Sequence, residues 1–72
     1  MKQTIRQIRE SRMLTQQQLA GRLRVSLATI SKWERGVHMP VLSHRATICK
    51  VLHVEATEVD WPRMNHLEAV SE

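Results

Sequence analysis

The chain has very few aromatic residues, which limits how its core can be built. Its 72 residues include two tryptophans, Trp33 and Trp61, and no phenylalanine or tyrosine. The core must therefore come from Leu, Ile, Val and Ala, and no β-branched run is long or alternating enough to propose a pair of strands. These features predict one small all-α domain, whose burial is marginal unless its helices pack well or the chain associates.

Glycine, cysteine and long apolar runs are equally scarce. The two glycines leave no phosphate-cradling loop, and the sequence has neither a nucleophile elbow nor paired carboxylates in an apolar setting, so we expect no enzymatic activity. The single cysteine, Cys49, lies four residues before His53, but four scattered histidines give no recognisable ligand set, so we expect no metal and no other cofactor. With no run of membrane length and one cysteine suited to a reducing compartment, we expect a soluble cytoplasmic protein without a membrane partner.

Acidic residues are scarce in the first 50 positions. That stretch holds ten Lys or Arg against two acids, Glu10 and Glu34, a balance of +8, whereas residues 51–72 hold one Arg against five acids. A basic body attracts phosphate at long range and binds nucleic acid with a strong dependence on salt. The alternative interpretation is that these cations form only a solvated helical surface.

The middle of the chain predicts two short helices joined by a tight turn. We expect the first helix of the chain to follow its N-terminal residues, so these two are its second and third helices. Thr15 can cap the second helix and Gln18 can complete a capping box, so this helix begins at the next residue after Thr15. Ser26 can cap the third helix, which we expect over residues 27–35 before Gly36 ends it.

Apolar spacing places one face of each of these two helices in a shared core. The residues expected to meet there are Leu19, Ala20, Leu23, Val25, Ile30 and Trp33. The residues expected to stay outside are Ser26, Leu27, Ala28, Ser31 and Lys32. An outward helix face that is small or polar and carries one lysine suits the major groove of DNA. The segment therefore has the layout of a DNA-reading helix-turn-helix.

One more helix is expected on the C-terminal side. After Pro40, a fourth helix begins at Leu42 or Ser43 and continues to about Leu52. Its predicted apolar stripe is Leu42, Ala46, Cys49 and Leu52.

We divide the chain into a domain at residues 1–60 and a tail at residues 61–72. In the tail Met64, Leu67 and Val70 recur three residues apart, which is typical of a short amphipathic helix. The sequence leaves three states of the tail open, namely packing on its own domain, disorder, and contact with a second copy or a protein partner.

Four sequence segments occur in order and at consistent separations. They are the I-x-x-I-R of Ile5, Ile8 and Arg9, the T-Q-x-x-L-A of the second helix, the V-S-x-x-T-I-S-K-W-E-R-G through the third, and Pro40 followed by the L-x-V of Leu52 and Val54. Together they resemble the Cro/C1-type helix-turn-helix domain, also called the XRE family, of phage and bacterial repressors. The resemblance covers roughly residues 4–60. It implies a compact five-helix fold like that of lambda repressor, with helices two and three as the helix-turn-helix. Residues 54–59, with Ala56 and Val59 on one side, would be the short fifth helix that closes the domain.

The resemblance also implies roles for individual residues. Base edges would be contacted by Leu27, Ala28, Ser31 and Lys32, with Lys32 donating to guanine and the first two touching thymine methyl groups. The DNA backbone would be contacted by Gln16, Gln17, Ser26, Thr29 and Arg35. Arg9 and Glu34 would form an ion pair between the first and third helices, with an architectural rather than a chemical role.

The chain departs from the family pattern at a few positions. Arg24 and His53 stand where the family often has glycine, so each needs a left-handed backbone or a changed turn, at a cost on the order of 1 kcal/mol. Arg45 stands where an aliphatic residue is usual, and Leu27 stands where a polar base-contacting residue is common.

We therefore expect a sequence-specific transcriptional regulator that binds double-stranded DNA. One short recognition helix reads only a few base pairs, so we predict a homodimer on a palindromic operator, acting most simply as a repressor. Two alternatives stay open. The first is the antitoxin of a toxin–antitoxin pair that represses its own promoter, and the second is a helical protein-interaction module that does not read DNA.

Overall fold

Four short α-helices and one turn of 3-10 helix form the fold in the computed structural model, which describes residues 1–62. The elements are α1 (Ile5–Ser11), α2 (Gln16–Leu23), α3 (Leu27–Glu34), α4 (Leu42–Leu52) and the 3-10 turn (Ala56–Glu58). Within the described residues the only β-type pairing is an isolated bridge between Gln3 and Val59. The predicted all-α class is thus confirmed. No helix in this part of the chain has the length and apolarity that a membrane span requires.

Hydroxyl side chains begin the first three helices. Thr4 and Thr15 each accept a hydrogen bond from the main-chain amide three residues later, and the glutamine at that later position accepts one in return from the threonine amide. Ser26 accepts from the main chain of α3 in the same way. The capping box predicted at Thr15 and Gln18 is present, and α2 begins at the residue expected from it.

One core joins all of the helices. Its buried apolar residues are Ile5, Ile8, Leu19, Ala20, Leu23, Ile30, Trp33, Ile48, Leu52 and Val59. Helix α2 packs against both α3 and α4, while α1 packs against α3. The core predicted between α2 and α3 is confirmed, with Val25 partly buried at its edge.

The apolar stripe predicted for α4 is confirmed at Leu52 and Cys49 and was wrong at Leu42 and Ala46. Leu42 is 72% exposed and Ala46 is exposed, whereas Ile48 and Leu52 are fully buried. The buried face follows residues four apart, and His44 belongs to it because its ring lies 5.3 Å from that of Trp33. The burial of Ile48 and the tilted contact between the rings of His44 and Trp33 therefore set the rotation of α4.

The predicted fifth helix is a single 3-10 turn. The main chain after it pairs with the N-terminus, since Gln3 N donates to Glu58 O at 3.1 Å and Asp60 N donates to Gln3 O at 2.7 Å. Trp61 is half-buried, and its indole Nε1 donates to the carbonyl of Ala56 at 3.1 Å. The tail residues Met64, Leu67 and Val70 lie outside the described residues.

The backbone is left-handed at the two positions where the family often has glycine and this chain does not. Arg24 has φ 59° and His53 has φ 58°, at the ends of α2 and α4. Met13, after α1, adopts φ 61° without an obvious signal in the sequence. Helix α3 ends at Glu34, one residue earlier than predicted, and Gly36 with φ 77° turns the chain away.

Candidate nucleic-acid interface

The turn between α2 and α3 is held by main-chain hydrogen bonds. Arg24 N donates to Gly21 O at 3.3 Å, and Val25 N donates to Ala20 O at 3.0 Å. The left-handed Arg24 makes this closure available, because it reverses the chain immediately after the last helical residue. Ser26 then caps α3, so only two residues, Arg24 and Val25, separate the last residue of α2 from that cap.

Helix α3 has a buried face and an outward face. Ile30 is fully buried and Trp33 is 2% exposed. On the opposite side Leu27 is 49% exposed and Ala28 is exposed. The buried residues fix the position of α3 on the domain, and the outward residues contribute almost nothing to the core.

Ser31 and Lys32 lie one helical turn after Leu27 and Ala28, so the four predicted base-contacting residues share one face of α3. Both are partly exposed. This face presents two apolar side chains, one hydroxyl and one ammonium. These are groups that can touch thymine methyl groups or donate to guanine in a major groove.

Three residues expected at the DNA backbone lie at the two ends of α3. Ser26 Oγ accepts from Thr29 N at 3.1 Å and lies 2.9 Å from Thr29 Oγ1, so both hydroxyls take part in the cap. At the other end, the exposed Arg35 donates from Nε to Ser31 Oγ at 3.2 Å. This bond directs the Arg35 side chain back along the helix toward the outward face.

Gln16 and Gln17 occupy the first turn of α2. Their main-chain amides stand where an α-helix offers no intrahelical acceptor, which makes this end attractive to an anion. Gln17 is exposed, whereas Gln16 is partly buried and donates from Nε2 to Glu34 Oε1 at 3.0 Å. The two neighbouring glutamines therefore differ in how firmly their side chains are held.

Arg9 and Glu34 form a buried ion pair. Arg9 Nε donates to Glu34 Oε2 at 2.6 Å and Nη2 donates to Oε1 at 3.1 Å. Arg9 Nη1 also donates to the carbonyl of Leu14 at 2.7 Å, just before the cap of α2. The hydrogen bond with Glu34 raises the pKa of Arg9 above its ordinary value, although burial opposes this shift. The pair links α1, the start of α2 and the end of α3.

Sequence reasoning did not find two contacts that hold this region. The bond from Gln16 to Glu34 joins residues 18 positions apart, and no local pattern predicts it. Arg12 donates from Nε to the carbonyl of Leu52 at 2.9 Å and so caps the C-terminal end of α4. The sequence around Arg12 has no signal that would distinguish such a capping arginine from an arginine in contact only with solvent.

Cys49 and His53 were weighed above as metal ligands, and they belong to no metal-binding group among residues 1–62. Within residues 1–62, no three His, Cys, Asp or Glu side chains are placed to hold an ion together. Cys49 is half-buried beside the core, and burial raises the pKa of its thiol, with the charge of Glu55 adding to the effect.

Comparison with known proteins agrees with this geometry. A family model described as helix-turn-helix matches residues 5–59, which is most of the chain and includes all four helices. Comparisons with curated proteins and with solved structures found no match. The chain therefore belongs to the Cro/C1-type helix-turn-helix family, also called the XRE family, of DNA-binding transcription regulators.

Proposed function

We propose that this protein is a cytoplasmic repressor that binds a palindromic operator as a homodimer and acts by occupying DNA rather than by catalysis. The observation that carries the proposal is the outward face of α3. Its side chains lie outside the core, while Ile30 and Trp33 on the other face are buried and fix the helix on the domain. A rigid helix with an unburied face can place its side chains against base edges without a cost in folding.

In this proposal the first two turns of α3 read the bases. Lys32 donates to guanine O6 or N7, Leu27 and Ala28 contact thymine methyl groups, and Ser31 serves either kind of base. Each good base contact of this kind contributes about 1–3 kcal/mol of discrimination against a wrong base.

The DNA backbone contacts fix the register of that reading. Gln16 and Gln17 present main-chain amides at the start of α2, and Ser26 and Thr29 stand at the start of α3. Arg35 adds a cation at the other end of α3. Such contacts position the protein on the duplex and carry no sequence information themselves.

An exposed apolar patch on α4 supports the homodimer. Leu42 is 72% exposed and Val41 is 41% exposed, and Leu42 lines a groove that continues past Ala46 to Trp61. Apolar side chains grouped in this way favour a protein contact. Sedimentation of Leu42→Glu tests this part of the proposal, with Met13→Glu as the control because Met13 is 87% exposed and does not line the groove. Equal self-association of both variants and wild type would refute this choice of surface.

Selection from a randomised duplex library is the primary test of function. The selected duplex and a scrambled control are titrated by fluorescence anisotropy at two salt concentrations. A palindromic duplex bound at least about 10³-fold more tightly than the control supports an operator-reading dimer. Equal, weak binding that disappears as salt rises would mean that only the basic surface acts, and the interaction-module alternative would then lead.

Two substitutions on α3 separate base reading from electrostatic attraction. Lys32→Ala should lower affinity for the selected duplex by about tenfold or more and relax specificity at one base pair. Ala28→Glu should abolish specific binding, since a carboxylate faces the groove. Lys50→Ala is the matched control, because Lys50 is an exposed lysine of α4 and its loss removes the same charge. The proposal fails if Lys32→Ala and Lys50→Ala bind the duplex equally while all variants remain folded.

A further inference from the structure

The Glu34 carboxylate is shared between the buried ion pair and the candidate interface. Its side chain is 3% exposed and it receives three N–H donors. Two come from Arg9, and the third is Gln16 Nε2, which donates to Oε1 at 3.0 Å. Architecture alone explains Arg9, because a buried carboxylate needs a partner. It does not explain why the third donor is the first residue of α2.

The bond to Glu34 fixes the orientation of the Gln16 carboxamide. A free glutamine side chain samples several rotamers, and ordering it on the DNA opposes binding. Here one Nε2 proton is already committed to Glu34, which leaves the second Nε2 proton with a defined direction. Gln17, one residue later, is exposed and makes no such bond to Glu34.

Arg9 makes this arrangement compatible with DNA. A carboxylate close to a phosphate would repel it, but Arg9 neutralises Glu34 through two hydrogen bonds of 2.6 and 3.1 Å. The carboxylate can therefore act as an acceptor for Gln16 without presenting a net negative charge to the DNA.

We propose that Glu34 is a positioning residue for DNA binding, which holds Gln16 so that the second Nε2 proton donates to one backbone phosphate of the operator. The inference rests on the proposed function. It assigns to the ion pair a task beyond joining α1 to α3, namely to preorganise a contact at the start of α2.

The test uses operator duplexes in which one phosphate at a time is replaced by a neutral methylphosphonate. Wild-type protein should lose roughly tenfold in affinity when the phosphate contacted by Gln16 is replaced, because a hydrogen bond to a charged acceptor is lost. Gln16→Met should bind the unmodified operator about tenfold more weakly and show no further loss at that phosphate. Gln17→Met, the matched control, should keep the wild-type loss at that phosphate.

Replacing the whole ion pair tests Glu34 itself. Arg9→Met/Glu34→Met leaves no unpaired buried charge, and such replacements are often tolerated by the fold. If Glu34 positions Gln16, this variant loses the sensitivity at the Gln16 phosphate and keeps it at other phosphates. If the pair is only architectural, the variant keeps the full wild-type pattern, and the inference is overturned.

A measurement on the unaltered chain covers the case in which that variant does not fold. In nitrogen-edited NMR spectra, one Nε2 proton of Gln16 should shift on adding operator while its partner, bonded to Glu34, stays in place. Neither proton should shift on adding the operator in which a methylphosphonate replaces the phosphate contacted by Gln16. Equal movement of both protons, or of neither, would overturn the inference. A failure to select any operator would instead count against the proposed function.

Discussion

The left-handed turn at Arg24 allows a stability prediction that can be worked from the backbone. Arg24 ends α2 with φ 59° and ψ 43°, a conformation in which the Cβ of an L-residue crowds the following carbonyl. That crowding costs roughly 1–2 kcal/mol, which glycine avoids. Glycine also gives the unfolded chain more freedom, which offsets about 0.4–1 kcal/mol of the gain. Arg24→Gly should therefore raise the free energy of unfolding by about 0.5–1 kcal/mol relative to an alanine at the same position.

Arg24→Ala is the appropriate reference, since it removes the exposed guanidinium and keeps Cβ. Urea titrations of the two variants, followed by circular dichroism, should give equal slopes and a higher midpoint for glycine. For a domain of this size, 1 kcal/mol corresponds to a shift in Tm of about 4–8 °C. Both variants remove one cation, so any loss of DNA affinity should be common to them. A glycine variant no more stable than the alanine variant would refute the reasoning about backbone strain.

Three further outcomes follow from individual contacts. Arg12→Ala should lower the free energy of unfolding by about 1–2 kcal/mol, because Arg12 donates to the carbonyls at the end of α4. Arg6→Ala should change it by less than about 0.5 kcal/mol, because the ion pair of Arg6 with Glu10 is exposed. Urea titrations check this contrast, and equal midpoints for the two variants would contradict it. Ile30→Ala should lower the free energy of unfolding by about 2–5 kcal/mol, since the side chain is fully buried, and a calorimetric loss below 1 kcal/mol would contradict that packing. The thiol of Cys49 should react with iodoacetamide at a higher pH midpoint in the folded chain than in urea, because burial raises its pKa. Because the thiol ionises at lower pH in the unfolded chain, the free energy of unfolding should fall as pH rises through the ordinary pKa of a thiol towards the raised pKa of the folded chain. Equal pH midpoints of the iodoacetamide reaction in the folded chain and in urea would contradict the shift in pKa.

Features set by local sequence were predicted well. The capping box at Thr15 and Gln18 places the start of α2, and Ser26 and Gly36 bound α3 to within one residue. Each of these signals acts over three or four residues, through a main-chain amide that needs an acceptor or a backbone that must turn left-handed. For this reason they can be read without knowledge of the fold.

Features set by packing between distant elements were not predicted. The rotation of α4 depends on His44 meeting Trp33 and on Ile48 filling the centre, and both contacts exist only once the helices are assembled. An apolar stripe through Leu42 and Ala46 matches helical spacing equally well in the sequence. Local periodicity gives the candidate faces of a helix, and the tertiary neighbours choose between them.

The candidate site shows the same division. Periodicity alone separates Ile30 and Trp33 from the outward side chains of α3, and the structure has them on opposite faces. The bond between Gln16 and Glu34 joins α2 to α3 and has no local signal. Sequence therefore predicts which side chains a recognition helix presents, but not how neighbouring elements hold the residues that surround it.

The outward residues of α3 and the residues of the buried ion pair differ in how freely they can be substituted. Leu27 and Ala28 are exposed and lie outside the buried core, so most substitutions there should alter the free energy of unfolding by no more than about 0.5 kcal/mol. Arg9 and Glu34 depend on each other, so replacing either one alone leaves a buried charge without its partner. The residues proposed to read bases are thus free to vary one at a time, whereas the ion pair proposed to hold Gln16 in place can change only as a pair. Under the proposed function, α3 can therefore acquire a new operator without a new fold.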